Sequence, residues 1–108
     1  MRIRTLPILQ EAELRQLVTR GAEVELVCLK APDKHERSRG EWVLMVHWQD
    51  QDPLVLVSVK SRHRIFYRFE GLCAYCAHTL ELAEVRVPLQ ADRSCRGMYH
   101  HSLSTGAV

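Results

Sequence analysis

The sequence predicts an α+β domain: a small antiparallel sheet, built as a three-stranded meander plus a closing strand, with two helices packed on one face. Three observations carry that expectation. Two segments place apolar residues at intervals of three and four, four segments alternate with period two, and Gly, Pro and Asp punctuate the gaps between them. The 108-residue chain suits one such core and is short for two. With 46% apolar and 26% charged residues, the balance is that of a globular chain able to bury an interior.

Residues 1–7 read as a short first strand, with Ile3 on one side and Arg2 and Arg4 on the other. Residues 9–20 read as a helix. Leu14, Leu17 and Val18 make its apolar stripe, Glu11 and Glu13 sit near the positive end of the dipole, and Arg20 sits near the negative end. Gly21 follows as a residue suited to a left-handed C-terminal cap. Residues 22–30 alternate as a strand, with Val24, Leu26 and Cys28 against Glu23 and Glu25. The charged stretch 31–40, with Pro32 and Gly40, reads as an exposed hairpin loop. Residues 41–48 form the next strand, with Trp42, Leu44, Val46 and Trp48 on one face. A turn at 49–53 leads into a third strand, 54–60, rich in β-branched valines.

A second helix is expected over 66–82, because Phe69, Leu72, Cys73, Cys76 and Leu80 fall on one stripe. Residues 84–89 alternate again as the closing strand, with Pro88 marking an edge or an end. Apolar content then falls, so the reading is a domain over 1–89 and a flexible tail over 90–108. Several strand residues, among them Val27, Leu29, Val43, Met45 and the run from Leu54 to Val59, make the sheet apolar on both faces. Two helices cover one face only, which points to a homodimer or a protein partner on the other. The competing expectation is that loops and tail cover it.

Two constellations bear on chemistry. Lys60, Arg62, Arg64 and Arg68 alternate with Phe66, Tyr67 and Phe69, a mixture able to hold phosphates with its cations and stack bases on its rings. Arg2, Arg4, Lys34, Arg37 and Arg39 extend the patch if the fold gathers them, and DNA is the candidate partner. The net charge of +2 neither requires nor excludes one. The bland reading is a solvated connection with Phe66 and Phe69 in the core. The second constellation is Cys73-x-x-Cys76 followed by Cys95 and His100 or His101, a spacing that can supply a tetrahedral Cys₃His zinc site. Against zinc, Cys73 and Cys76 continue an apolar helical stripe, where thiols act as small buried hydrophobes. The expectation is therefore core packing and no cofactor, with a zinc-stabilised module as the alternative.

Enzyme chemistry has little footing. Asp50 and Asp52 are turn formers, Ser58 and Ser61 lack a nucleophile-elbow setting, the five glycines are scattered, and His47 reads as an ordinary strand histidine. No apolar run reaches the length of a membrane span. The N-terminus lacks the features of a secretory signal, so a cytoplasmic location with reduced thiols is expected.

The layout from residue 3 to 89 resembles the small plasmid-encoded partition-associated proteins of the ParC-type accessory family. The features that match are Ile3-Arg4-Thr5-Leu6-Pro7, Glu13-Leu14, Trp42-Val43-Leu44, Ser61-Arg62 with Arg64-x-Phe66, the Leu72, Tyr75 and Leu80 helix, and Val85-x-Val87-x-Leu89. The resemblance implies a non-enzymatic accessory encoded near partition genes on a plasmid or mobile element. It supplies no functional residues, and Cys73, Cys76, Cys95 and the histidines of the tail lie outside its pattern. The expected function is that of an accessory or binding protein acting through protein contacts and DNA.

Overall fold

The centre of the molecule is a long antiparallel hairpin, β2 (Glu23–Asp33) and β3 (Arg39–His47). The computed structural model describes residues 3–105. Val24 lies opposite Val46, Leu26 opposite Leu44 and Cys28 opposite Trp42, so all six project from one face, as directly paired residues must. Glu25 opposite Met45 and Val27 opposite Val43 supply the other face. The hairpin runs further than its sequence suggests. Irregularities after Cys28 and Lys30 carry the pairing to Asp33–Arg39, through the stretch expected to be loop. A single 3-10 turn, Lys34–Glu36, closes it: the Asp33 carboxylate accepts from the His35 N–H at 2.8 Å. Gly40 is required here, because a Cβ would stand 2.8 Å from the Lys30 carbonyl oxygen and 2.9 Å from the Trp42 ring.

Around this hairpin the sheet is mixed and six-stranded, in the order Ile8–Leu9, Leu54–Leu56, β3, β2, Ser94–Met98, with Phe66–Arg68 also on β3. The expected first strand is instead a 3-10 turn, Ile3–Thr5, followed by the two-residue β1, Ile8–Leu9. β1 runs parallel to β4 (Leu54–Leu56). The third strand is shorter than expected, continued only by a bridge between Val57 and His63. β4 therefore occupies the last part of β3's outer edge and leaves the first part open. β5, Phe66–Arg68, fills it, with Phe66 opposite Trp42. This is why the second helix begins at Phe69 and not at residue 66.

Helix α1, Glu11–Thr19, matches its expectation, and Gly21 follows it at φ +110°. α2, Phe69–Ala74, runs into a π turn, Tyr75–Thr79, where the Leu80 N–H reaches the Tyr75 carbonyl. Leu14 and Val18 of the first helix and Leu72, Tyr75, Cys76 and Leu80 of the second pack with Val24, Leu26, Trp42, Leu44 and Val46 in one cluster. Phe69, placed on that stripe by its spacing, is 41% exposed.

Two further corrections concern the C-terminal third. Residues 84–89 do not join the sheet. Val85 and Val87 pack on the main cluster, and the Trp42 indole N–H donates to the Pro88 carbonyl at 2.8 Å. The strand on that side is β6, Ser94–Met98, within the segment expected to be a loose tail. Met98 pairs with Val24 and Cys95 with Leu26, and a short helix, α3 (His101–Thr105), follows.

The second sheet face is also covered from within the chain. Val27, Val43, Met45 and Val55 form a separate buried cluster with Ile3, and Leu6 and Ile65 pack against it. The centre of the apolar face that pointed to a dimer or partner is thus covered by the N-terminal turn and the β5 approach, while Leu29 beside it stays partly exposed. At its end, His47 Nε2 and the buried Glu25 carboxylate lie 2.6 Å apart, a polar pair where the sequence reading expects an ordinary strand histidine. No helix among the described residues is long and apolar enough to cross a membrane.

If β6 is an integral strand, Met98→Ala lowers stability by about 2–5 kcal/mol, since it removes a fully buried side chain from the main cluster. Urea denaturation followed by circular dichroism reads the change. An unchanged midpoint means the segment contributes no core.

Candidate functional site

The strongest concentration of unpaired charge lies where β5 meets the hairpin tip. Arg39 of β3 stands directly opposite Arg68 of β5. Like charges in register on neighbouring strands repel, so this pairing costs stability unless an anion sits between them. Arg37, at φ 55°, and His35 border the same recess as Arg39 and Arg68, with Glu36 the one acidic side chain there. Among the described residues, none of Arg37, Arg39 and Arg68 has a carboxylate within ion-pair distance. The Arg39 guanidinium lies 4.8 Å from the centre of the Tyr67 ring, which is itself 41% exposed. The edge thus combines three uncompensated guanidiniums with an accessible aromatic ring.

Arg64 borders this surface but has a second occupation. Its guanidinium lies over Phe66 and Tyr75, 4.9 and 4.5 Å from the ring centres, and binds Glu11 of α1 at 3.2 Å. It ties α1 to the junction between β5 and α2. Burial, then Glu11, holds the Tyr75 hydroxyl well above the ordinary phenol range. Arg62 faces elsewhere, bordering a cavity on the second sheet face together with Arg4. Lys60 stands exposed at the turn between Val57 and His63. Of the four cations singled out in sequence, the fold therefore brings Arg64 and Arg68 together and separates Arg62 and Lys60 from them. Arg37 and Arg39, named in sequence only as extensions of the patch, are its centre. Arg2, a further extension, lies outside the described residues. What gathers the edge is the β3–β5 register.

The zinc constellation is not assembled. Cys76 is 1% exposed inside the main cluster, Cys73 is partly buried one turn earlier, and Cys95 lies on β6 at the margin of that cluster. The His100 imidazole hydrogen-bonds the Ser102 hydroxyl at 2.8 Å and stacks against His101 with ring centres 4.4 Å apart. Among the described residues no three His, Cys, Asp or Glu side chains gather within reach of one ion. The helical phase of the Cys-x-x-Cys pair explains this, since it turns Cys76 into the interior. Burial, reinforced by Cys73, pushes the Cys76 thiol up to about 12, and burial with Glu70 raises that of Cys73. Both thiols stay protonated near neutrality, the form that does not act as a nucleophile.

No protein-family model, curated protein or solved structure matches the chain.

A buried, protonated Cys76 is expected to resist Ellman's reagent at pH 8 until denaturant is added, while the partly exposed Cys73 and Cys95 react without it. Its raised value also gives a sign to alkaline stability. The folded form holds the proton more tightly than the unfolded chain, so stability is intact below about pH 8.5, the free thiol value, and falls as pH rises toward 12. Labelling followed by peptide mass mapping, and melting curves across that range, check both.

Proposed function

We propose that this protein is a non-enzymatic binding protein that uses the edge formed by β5 and the β2–β3 hairpin tip to hold a polyanionic partner, DNA first among them. The observation that carries the reading is the register pair Arg39–Arg68, flanked by Arg37 and, among the described residues, without a carboxylate within ion-pair distance. Two arginines in register across a strand pair do not add to stability. A phosphate between them turns the repulsion into two charge-assisted hydrogen bonds, and the planar guanidinium fork suits phosphate oxygens. Tyr67 beside them offers a ring face to a base or a sugar. The surface is small and the net charge modest, which fits an accessory contact better than a stand-alone repressor.

The finer form of the reading places the protein beside a plasmid or mobile-element partition system, as the ParC-type resemblance implies, in the cytoplasm and acting through a protein partner as well as DNA. Genes for a partition ATPase and a centromere-binding protein next to its own support that placement, and a consistently different neighbourhood removes it.

The DNA contact itself is tested by salt. Binding of a labelled duplex, followed by fluorescence anisotropy across a salt series, is expected to weaken as salt rises. The double variant Arg39→Ala with Arg68→Ala flattens the slope of log K against log salt by about 2, at about 0.9 for each phosphate no longer neutralised. Lys60→Ala, away from the edge, leaves the slope close to that of the parent. Equal slopes for all three proteins overturn the assignment of the edge.

A further inference from the structure

The sheet face turned away from α1 and α2 carries a second concavity, independent of the basic edge. It is a half-open hollow of about 760 Å³, within the range of roughly 300–1,000 Å³ common for small-molecule sites. Its floor is apolar: Val43 is fully buried, Ile3 is 6% exposed, and Ile65 packs on the same cluster. Leu29, 37% exposed, forms a wall.

Two cations stand on this cavity from separate elements. Arg4 comes from the N-terminal turn and Arg62 from the connection between Val57 and His63. Neither has a carboxylate within ion-pair distance among the described residues. The other titratable groups lining the cavity are His63 and Glu41, and Glu41 lies in register with Lys30 of β2. Permanent charge on the lining is therefore net positive, set above an apolar floor.

We propose that this cavity binds a small amphipathic carboxylate, with its apolar body against Ile65 and Leu29 above the buried Val43 and its headgroup held by Arg4 and Arg62. Each half of the site excludes a different competitor. A neutral apolar molecule leaves two guanidiniums without a counter-charge, whereas a free inorganic anion wastes the apolar floor. A carboxylate with an aliphatic or aromatic body satisfies both, because the guanidinium fork matches the two carboxylate oxygens and the body removes apolar surface from water.

Octanoate is the probe, with octanol as its uncharged counterpart of equal tail length, titrated into methyl-labelled protein and followed by NMR. The expected result is saturable shifts of the Ile3, Val43 and Ile65 methyls with octanoate, at an affinity at least about tenfold above that of octanol, or about 1.4 kcal/mol. The double variant Arg4→Ala with Arg62→Ala, both exposed positions, removes that preference. Leu29→Glu, which places a negative charge on the wall, abolishes octanoate binding. Equal affinities for octanoate and octanol, shifts confined to other methyls, or no saturation overturn the proposal. The octanoate–octanol comparison uses the unmodified protein, so it decides the matter even where a variant melts early. Duplex binding at the β5 edge is measured separately, so failure at one site leaves the other standing or falling on its own result.

Discussion

The register between β2 and β3 is the constraint on which everything else rests. With Leu26 opposite Leu44 and Val27 opposite Val43, the strands present one apolar face to the helices and a second to the N-terminal turn. A slip of one residue on either strand would turn Glu25 or Glu41 toward the helices and bring Leu26 and Leu44 out of phase, so the burial pattern permits one pairing only. The same register fixes where β3 ends and hence which parts of its outer edge β4 and β5 can take. Trp42 faces Phe66, and an irregularity between Trp42 and Arg39 then brings Arg39, not Gly40, opposite Arg68. The basic edge depends on core packing three residues away and on that irregularity.

Covering the second face changes what the molecule offers to partners. An α+β sheet with helices on one side leaves its other side to solvent, to a second copy or to its own loops, and here Ile3, Leu6 and Ile65 close it. These pieces are short, and they seal the centre of the face without filling the hollow between the N-terminal turn and the Val57–His63 bridge. The hollow exists because a 3-10 turn, and not a full strand, crosses that face. A regular first strand would have paired along an edge and left a broad flat surface in its place.

The parts of the fold legible in the sequence are those whose contacts are close along the chain. Leu14 and Val18 declare α1, and the Trp42-Leu44-Val46 alternation declares β3, because local periodicity and burial agree there. The missed elements depend on distant pairing. Phe66-Tyr67-Arg68 continues into a helical pattern and becomes strand only because β3 has an open edge. Ser94–Met98 has one fully buried apolar residue and a glycine at φ +82°, so nothing local marks it as β6. By contrast, 84–89 alternates well yet stays outside the sheet, because β6 already occupies the edge of β2 and Trp42 binds the Pro88 carbonyl. The candidate site divides along the same line. Arg64 and Arg68 are visible in a basic run, but the weight of Arg39 comes from its cross-strand partner, fixed 29 positions later in the chain.

That division also orders the two candidate surfaces. The run from Lys60 to Phe69 looks like one basic, aromatic patch when read as a string. The pleat and the turn at Ser61, φ 59°, cut it apart. Phe66 enters the main cluster with Arg64 stacked above it, Ile65 goes to the second cluster, and Arg62 is delivered to the opposite face. A short segment threaded along a sheet edge can therefore serve two faces with different chemistry: open guanidiniums beside a ring on one, guanidiniums over an apolar floor on the other. The difference between them lies less in charge, which is similar, than in what surrounds it. An exposed edge suits an extended polyanion, whose binding is governed by salt. A walled hollow suits a small molecule whose apolar body must leave water.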